Sequence, residues 1–152
     1  MGQVISINIS KDKGQRKKPV TGAWEMVKGC GLKNDGHANL SPNIQEENSH
    51  RQVSLLAEES IEKMRAAGLN VGPGDFAENI TTSGISLLSL KIVDQLRIGT
   101  DVLLRISQIG KVCHNRCAIY YQAGDCVMPK EGIFAEVITG GMIEVGDSCS
   151  LS

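Results

Sequence analysis

Short apolar runs with a period of two recur along this chain, and that period is typical of β-strands with one buried face. The pattern predicts strands over 3–10, 20–28, 95–98, 102–109, 118–121, 133–139 and 148–151. Glycine-containing turns separate the later runs, at Gly99, Gly124, Gly140 and Gly146. Short strands joined by such turns predict a mainly β protein with a few helices, arranged as a barrel or a sandwich.

One stretch has helical periodicity instead. Ser54 is a residue type that caps helices and Gly68 is a typical stop signal, so we predict a helix from Ser54 to about Ala67. Three apolar side chains would face inward: Leu56, Ile61 and Met64. The polar, glycine-rich stretches 32–49 and 70–83 are predicted to be loops, and loops of such length in compact domains are usually functional.

Length and composition narrow the class of protein. The 152 residues suit one domain, 1–152, large enough to bury a core. The N-terminus lacks a signal-peptide pattern and no run of about 18 apolar residues occurs, so we expect a cytoplasmic protein without a membrane segment. A net charge of −1 and 3% aromatic residues argue against a nucleic-acid surface. The basic group Lys11, Lys13, Arg16, Lys17 and Lys18 is interpreted as a solvated loop.

The densest candidate chemistry follows the predicted strand 102–109. Two thiols, an imidazole and two cations stand together there, as Lys111, Cys113, His114, Arg116 and Cys117. Positive neighbours lower the pKa of a cysteine and so favour the reactive thiolate. The five cysteines are an odd set without a secretory signal, which argues against a disulfide framework. The sequence therefore predicts a reactive cysteine at a strand end, and Cys30 and Cys149 are interpreted as structural.

Five motifs in order resemble the MOSC domain, a family named for the C-terminus of the molybdenum cofactor sulfurase. They are Asp35-Gly36-His37, His50-Arg51-Gln52, Pro73-Gly74-Asp75, Cys113-His114-Asn115-Arg116-Cys117 and Gly132-Ile133-Phe134 with the residues that follow each. The resemblance implies a closed or partly open β-barrel like that of pyruvate kinase. It also implies a role as a sulfur carrier or cofactor-handling protein in molybdenum cofactor metabolism. Asn34 and Val93 depart from the family pattern, since each stands where glycine is usual.

The resemblance and the residue chemistry together give candidate roles. Cys117 is the first candidate for a persulfide carrier or molybdenum ligand, because the family's metal-ligating Arg-Cys pair matches Arg116-Cys117. Cys113 is a second thiol that would form a disulfide with Cys117 or resolve its persulfide, and a structural role for Cys113 is equally open. His37 and His114 would deprotonate the thiol or stabilise the thiolate. The candidate contacts to molybdopterin are Arg51, Arg116, Lys111, His50, Glu78 and Asn79, of which Glu78 and Asn79 also suit a scaffold role.

Several alternatives stay open at this point. Cys113, Cys117 and Cys126 with a histidine would bind zinc, although no Cys-x-x-Cys pair is present. The chain would otherwise be an adaptor for cofactor-assembly enzymes, or a reductase component acting on N-oxygenated compounds. Pyridoxal phosphate is associated with the family through the aminotransferase-like domain of the sulfurase, and we identify no lysine site for it in this sequence. The expected partners are a cysteine desulfurase or molybdenum cofactor biosynthesis proteins, and enzymatic activity and oligomeric state are left undecided.

Overall fold

A computed structural model of the chain describes residues 2–11, 16–35, 52–110 and 131–152. The strands are β1 (Gly2–Ile9), β2 (Lys18–Pro19), β3 (Trp24–Val27), β4 (Gly31–Leu32), β5 (Val53–Ala57), β6 (Ile80–Ser83), β7 (Gln95–Ile98), β8 (Val102–Ile109), β9 (Ile133–Thr139), β10 (Gly141–Ile143) and β11 (Ser148–Leu151). Helix α1 spans Glu58–Ala66, and a 3-10 turn spans Leu87–Ser89.

Seven of these strands close into a barrel. Their order is β11, β7, β8, β9, β5, β6 and β1, and the ring closes where Gly2 and Gln3 of β1 pair with Cys149 and Ser148 of β11. Every neighbouring pair in this ring is antiparallel except β5 with β6. Closure removes the free strand edges that an open sheet would present. The prediction of a mainly β, closed barrel is confirmed.

Two apolar clusters hold the barrel and its helix together. Inward-facing side chains such as Val4, Leu55, Ile80 and Leu104 form the first cluster. The second contains Leu56, Ile61, Val71, Phe76, Ala77 and Phe134, which joins α1 and the loop after it to the outside of β5 and β9. Burying a side chain of this size contributes about 1.5 to 3 kcal/mol. Adjacent residues Leu55 and Leu56 thus serve different cores, and β5 is buried on both faces.

The predicted helix over 54–67 is wrong in its first turn. Residues Val53–Ala57 form strand β5, and the helix begins only at Glu58. A strand that is apolar on both faces has no alternation, so its sequence cannot be told from a buried helical turn by period alone. The predicted end is confirmed, since α1 ends at Ala66 and Gly68 adopts a φ of +99°.

Two other expectations need correction. The predicted strand over 20–28 is shorter than expected: only Trp24–Val27 is extended, as β3, and β3 leaves the barrel to pair with β4 and β10. The predicted loop 70–83 ends in β6, a barrel strand whose Thr81 and Thr82 are fully buried. The glycine and proline residues just before this strand led to the prediction of a loop, although threonine favours strands. The predictions for β7, β8, β9 and β11 are confirmed, and the predicted strand 118–121 lies outside the described residues.

Both departures from the family's glycines adopt backbone angles that favour glycine. Asn34 has a φ of +67° and Val93 a φ of +72°. Asparagine tolerates this left-handed region well, so the turn at Asn34 is kept. A β-branched residue does not, and Val93 combines this strain with a side chain that is 68% exposed.

We expect Val93→Gly to stabilise the protein by about 1 kcal/mol. Glycine relieves the left-handed strain at position 93, and little apolar burial is lost. Thermal or urea unfolding would measure the gain. The matched control is Ile92→Gly. Ile92 is the neighbouring residue, also apolar and exposed, but its φ is not positive, so glycine there should lower the stability. Destabilisation by both substitutions would contradict the strain assigned to Val93.

Candidate functional site

Buried polar side chains gather where β1 ends and β5 and β6 begin. Eight of them form what we call the polar cluster: Ser6, Asn8, Lys17, Asp35, Ser54, Glu78, Asn79 and Thr81. Each is at most 7% exposed. Buried polar groups are retained in a core only when hydrogen bonds or charge pairs offset their lost hydration.

An ion pair between Lys17 and Asp35 anchors one side of the cluster. The Lys17 Nζ lies 2.8 Å from Asp35 Oδ1 and 2.7 Å from Oδ2, and the two side chains are 1% and 0% exposed. The backbone N–H of Ser10 also donates to Asp35 Oδ1, at 3.0 Å. The end of β1, the stretch at Lys17 and the turn that ends at Asp35 are therefore held at one point. The interpretation of Lys17 as a solvated residue is wrong.

Two asparagines join the strands on the other side of the cluster. The Asn79 Oδ1 accepts hydrogen bonds from the backbone N–H and the hydroxyl of Ser54, at 3.0 and 3.2 Å. Its Nδ2 donates to the carbonyl of Asn8 at 3.2 Å, while the backbone N–H of Asn8 donates to the carbonyl of Asn79 at 2.7 Å. Asn79 thus bridges β5 and β1 at the point where β6 begins.

Glu78 is the buried acid of the cluster. Its Oε2 accepts a hydrogen bond from the Thr81 hydroxyl at 2.8 Å, and its Oε1 has no hydrogen-bond partner. Burial raises the pKa of Glu78 from 4.5 to about 7, although nearby backbone N–H groups and the Thr81 hydroxyl act in the opposite direction. A carboxyl group of this kind exchanges its proton near neutral pH.

A shallow groove lies at the other ends of β5 and β6. It has a volume of about 290 Å³ and is lined on one side by Ser60 and Lys63 of α1 and on the other by Ile85 and Leu87. Both Ser60 and Lys63 donate to Glu131 Oε1, at 2.8 and 2.9 Å. These contacts hold the start of β9 against α1.

Comparison with protein families decides what kind of domain this is. The model of the MOSC domain matches residues 35–150. The chain belongs to the MOSC domain family. The match begins at Asp35, the buried partner of Lys17, and it spans the barrel from β5 to β11 and the cysteine motif.

Solved structures show the same MOSC fold. The YuaD protein from Bacillus subtilis is 18% identical with a TM-score of 0.77, over 98% of this chain and 94% of that one. YiiM from Geobacillus stearothermophilus is 21% identical with a TM-score of 0.70, over 100% of this chain and 75% of that one. YiiM from Escherichia coli is 20% identical with a TM-score of 0.68, over 100% of this chain and 70% of that one. No curated protein sequence matches significantly.

Most of the predicted site residues of this MOSC domain lie outside the described residues. They are His37, His50, Arg51, Lys111, Cys113, His114, Arg116 and Cys117. Their roles therefore stay predictions. Glu78 and Asn79 are described, fully buried and bonded within the polar cluster, which fits the scaffold role. Their contact with a cofactor stays a prediction as well.

The strand register places the ends of the cysteine segment relative to the polar cluster. Segment 111–130 connects β8 to β9, where the Gly110 N–H donates to the Gly132 carbonyl at 2.7 Å. Ile109, Ile133, Leu55 and Ile80 pair in sequence across β8, β9, β5 and β6. With about 4.8 Å between strands, Ile133 lies about 10 Å from Ile80, the residue that follows Asn79.

No group of three metal-ligating side chains occurs in residues 2–11, 16–35, 52–110 and 131–152. Cys149 is buried in the barrel, where burial raises the pKa of its thiol to about 11 and keeps it protonated. That state fits the structural role predicted for Cys149 and is unsuited to thiolate chemistry. None of the helices in this part of the chain is long and apolar enough to span a membrane.

The ion pair leads to a test of stability. Lys17→Met should destabilise the protein by about 3 to 5 kcal/mol, because it leaves the Asp35 carboxylate buried without its cation. The double variant Lys17→Met with Asp35→Leu should recover most of that loss, since no charge is then buried. Urea unfolding of the three proteins measures both effects. A double variant as unstable as Lys17→Met would show that the pair's hydrogen bonds, and not its charge balance, carry the stability.

Glu78 leads to a test of pH dependence. Its folded pKa is above its unfolded value, so its contribution to stability is complete below about pH 4.5 and is lost as the pH rises to about 7. Between pH 5 and 8 the wild type should lose about 2 to 3 kcal/mol more than Glu78→Gln does. Chemical denaturation at several pH values would measure this difference. Parallel pH profiles for the two proteins would contradict the buried acid.

Proposed function

We propose that this MOSC domain handles sulfur or the molybdenum cofactor through the thiolate of Cys117. The observation that carries the proposal is the family match over residues 35–150, which includes the motif Cys113-His114-Asn115-Arg116-Cys117. MOSC domains are associated with molybdenum cofactor-related function. Three positively charged or ionisable neighbours within six residues of Cys117 would favour its thiolate: Lys111, His114 and Arg116.

The reaction proposed is the transfer of one sulfane sulfur atom. The Cys117 thiolate attacks the outer sulfur of a persulfide on a donor protein, and a new S–S bond forms as the old one breaks. The donor cysteine leaves as a thiolate, and Cys117 becomes the persulfide. No net oxidation or reduction occurs, because the sulfane sulfur and its two electrons move together. A cysteine desulfurase is the class of donor that this chemistry requires.

The described geometry supports a binding mouth beside the polar cluster. Lys17 and Asp35 fix the point from which residues 36–51 continue, and that stretch carries His37, His50 and Arg51. Arg16 lies next to this point, with its Nε 3.8 Å from Asp75 Oδ1 and without a hydrogen bond. Guanidinium groups bind phosphate oxygens in pairs, so Arg51 and Arg116 are proposed to clamp the phosphate of a pterin cofactor.

Molybdenum itself finds no ligand set among the side chains that the structure describes, where no cluster of three candidate ligands occurs. The proposed ligand is Cys117, as the resemblance to the family's Arg-Cys pair implies, and no step of the proposed sulfur transfer passes through the metal. A soft thiolate suits both molybdenum and sulfane sulfur.

Incubation with a cysteine desulfurase and free cysteine tests the proposal. We expect intact-protein and peptide mass spectrometry to find one added sulfur atom on Cys117, removable by a thiol reductant. Cys117→Ser should abolish the adduct. The control Cys30→Ser also removes one thiol, that of the half-buried Cys30, and should leave the adduct unchanged.

Equal loading of wild type and Cys117→Ser would overturn the carrier role of Cys117. If neither protein is loaded and Cys117→Ser still binds cofactor-assembly proteins as the wild type does, the adaptor function replaces it.

A further inference from the structure

The loop over residues 72–79 is attached by hydrogen bonds to the stretch at Lys17 and to β5. Its Gly74 carbonyl accepts from the Lys17 N–H at 2.7 Å, and its Asn79 N–H donates to the Ser54 carbonyl at 2.9 Å. Gly74 has a φ of +88°, and a side chain there would collide with the Lys17 carbonyl oxygen. The loop therefore packs directly against the stretch that carries the Lys17–Asp35 pair.

A directed series of hydrogen bonds ends at the acid inside this loop. The Ser6 hydroxyl donates to Asn8 Oδ1 at 2.7 Å, Asn8 Nδ2 donates to the Thr81 hydroxyl at 3.2 Å, and Thr81 donates to Glu78 Oε2 at 2.8 Å. The second oxygen of Glu78 is buried and accepts no hydrogen bond. The Thr81 hydroxyl and backbone N–H groups of the loop favour the ionised form, but complete burial of the side chain outweighs them and favours the neutral acid.

Charged groups on the elements packed against the loop are engaged elsewhere. Lys17 pairs with Asp35, and Arg16 lies beside Asp75. Arg65 of α1 donates to the Val71 carbonyl at 2.7 Å and pairs with Glu62. The neighbours on β1, β5 and β6 are the uncharged Asn8, Ser54 and Thr81. Within the described residues, no ion pair to a cation stabilises an ionised Glu78.

We propose that Glu78 is a pH-sensitive switch for the 72–79 loop: the neutral acid keeps the loop closed on Lys17 and β1, and ionisation opens it. On ionisation the proton passes to water, and the carboxylate regains hydration only when the loop moves away from the core. Because Gly74 contacts Lys17, an open loop also uncovers the Lys17–Asp35 pair. Burial that raises the pKa of Glu78 to about 7 places the change in the neutral range.

Hydrogen exchange of the loop amides tests the switch in the full chain. Three N–H groups are informative. Those of Lys17 and Ala77 donate to the Gly74 carbonyl, and that of Asn79 donates to the Ser54 carbonyl. After correction for intrinsic exchange, the opening of these N–H groups should become about tenfold more frequent between pH 6 and pH 8. This factor follows from a Glu78 pKa of about 7 in the closed loop and 4.5 in the open loop. Amides of β8 should not follow this change.

Two variants make the result specific. Glu78→Gln should remove the pH dependence of these amides, whereas Glu144→Gln, an exposed acid on the β10–β11 turn, should retain it. A pH-independent opening in the wild type, or the same rise in Glu78→Gln, would overturn the proposal.

If Glu78→Gln does not fold, the carbon-13 resonance of the Glu78 carboxyl in the wild type decides. A midpoint near 7 supports the switch, and one near 4.5 overturns it. None of these measurements depends on sulfur transfer, so the proposed role of Cys117 stands or fails separately.

Discussion

The ion pair between Lys17 and Asp35 is the constraint on which this end of the barrel depends. Two opposite charges are almost fully removed from water, so each requires the other in one geometry. Three pieces of chain distant in sequence meet there: the end of β1 at Ser10, the stretch at Lys17 and the turn at Asp35. The 72–79 loop then rests on Lys17 through Gly74. Apolar packing makes the barrel, but this pair fixes how its connections are arranged.

The strands that could be predicted are short apolar runs next to glycine-containing turns. β8 alternates between buried and less buried residues over 102–109. β9 is buried on both faces from Ile133 to Ala135, and its β-prone residues and the glycines after it identified it. β5 was mistaken for a helical turn because it is buried on both faces and continues directly into α1. β6 was mistaken for a loop because it directly follows a stretch rich in glycine, proline and asparagine, although isoleucine and threonine favour strands. Tertiary position, which local pattern does not contain, decided both cases.

The candidate site divides in a similar way. Cys117 and its basic neighbours were found from residue chemistry and from a motif, which are properties of adjacent residues. Lys17 was hidden among four other cations, and nothing local distinguishes the one that is buried. Asp35 was part of a recognised motif, but the sequence does not show that its carboxylate is buried and therefore requires a cation, so the motif did not point to Lys17. The behaviour of Glu78 depends on desolvation by residues far away in the sequence.

The parallel pairing of β5 with β6 has a geometric consequence. Had the two strands been joined by a tight hairpin, β6 would run the opposite way, and the residues before it would lie where β5 ends. Instead the chain makes a long return through α1, and residues 78 and 79 arrive back beside Ser54, where β5 starts. The connection must therefore be long enough to return along the whole length of β5, and this return places the Glu78 acid and the Asn79 amide next to Asn8.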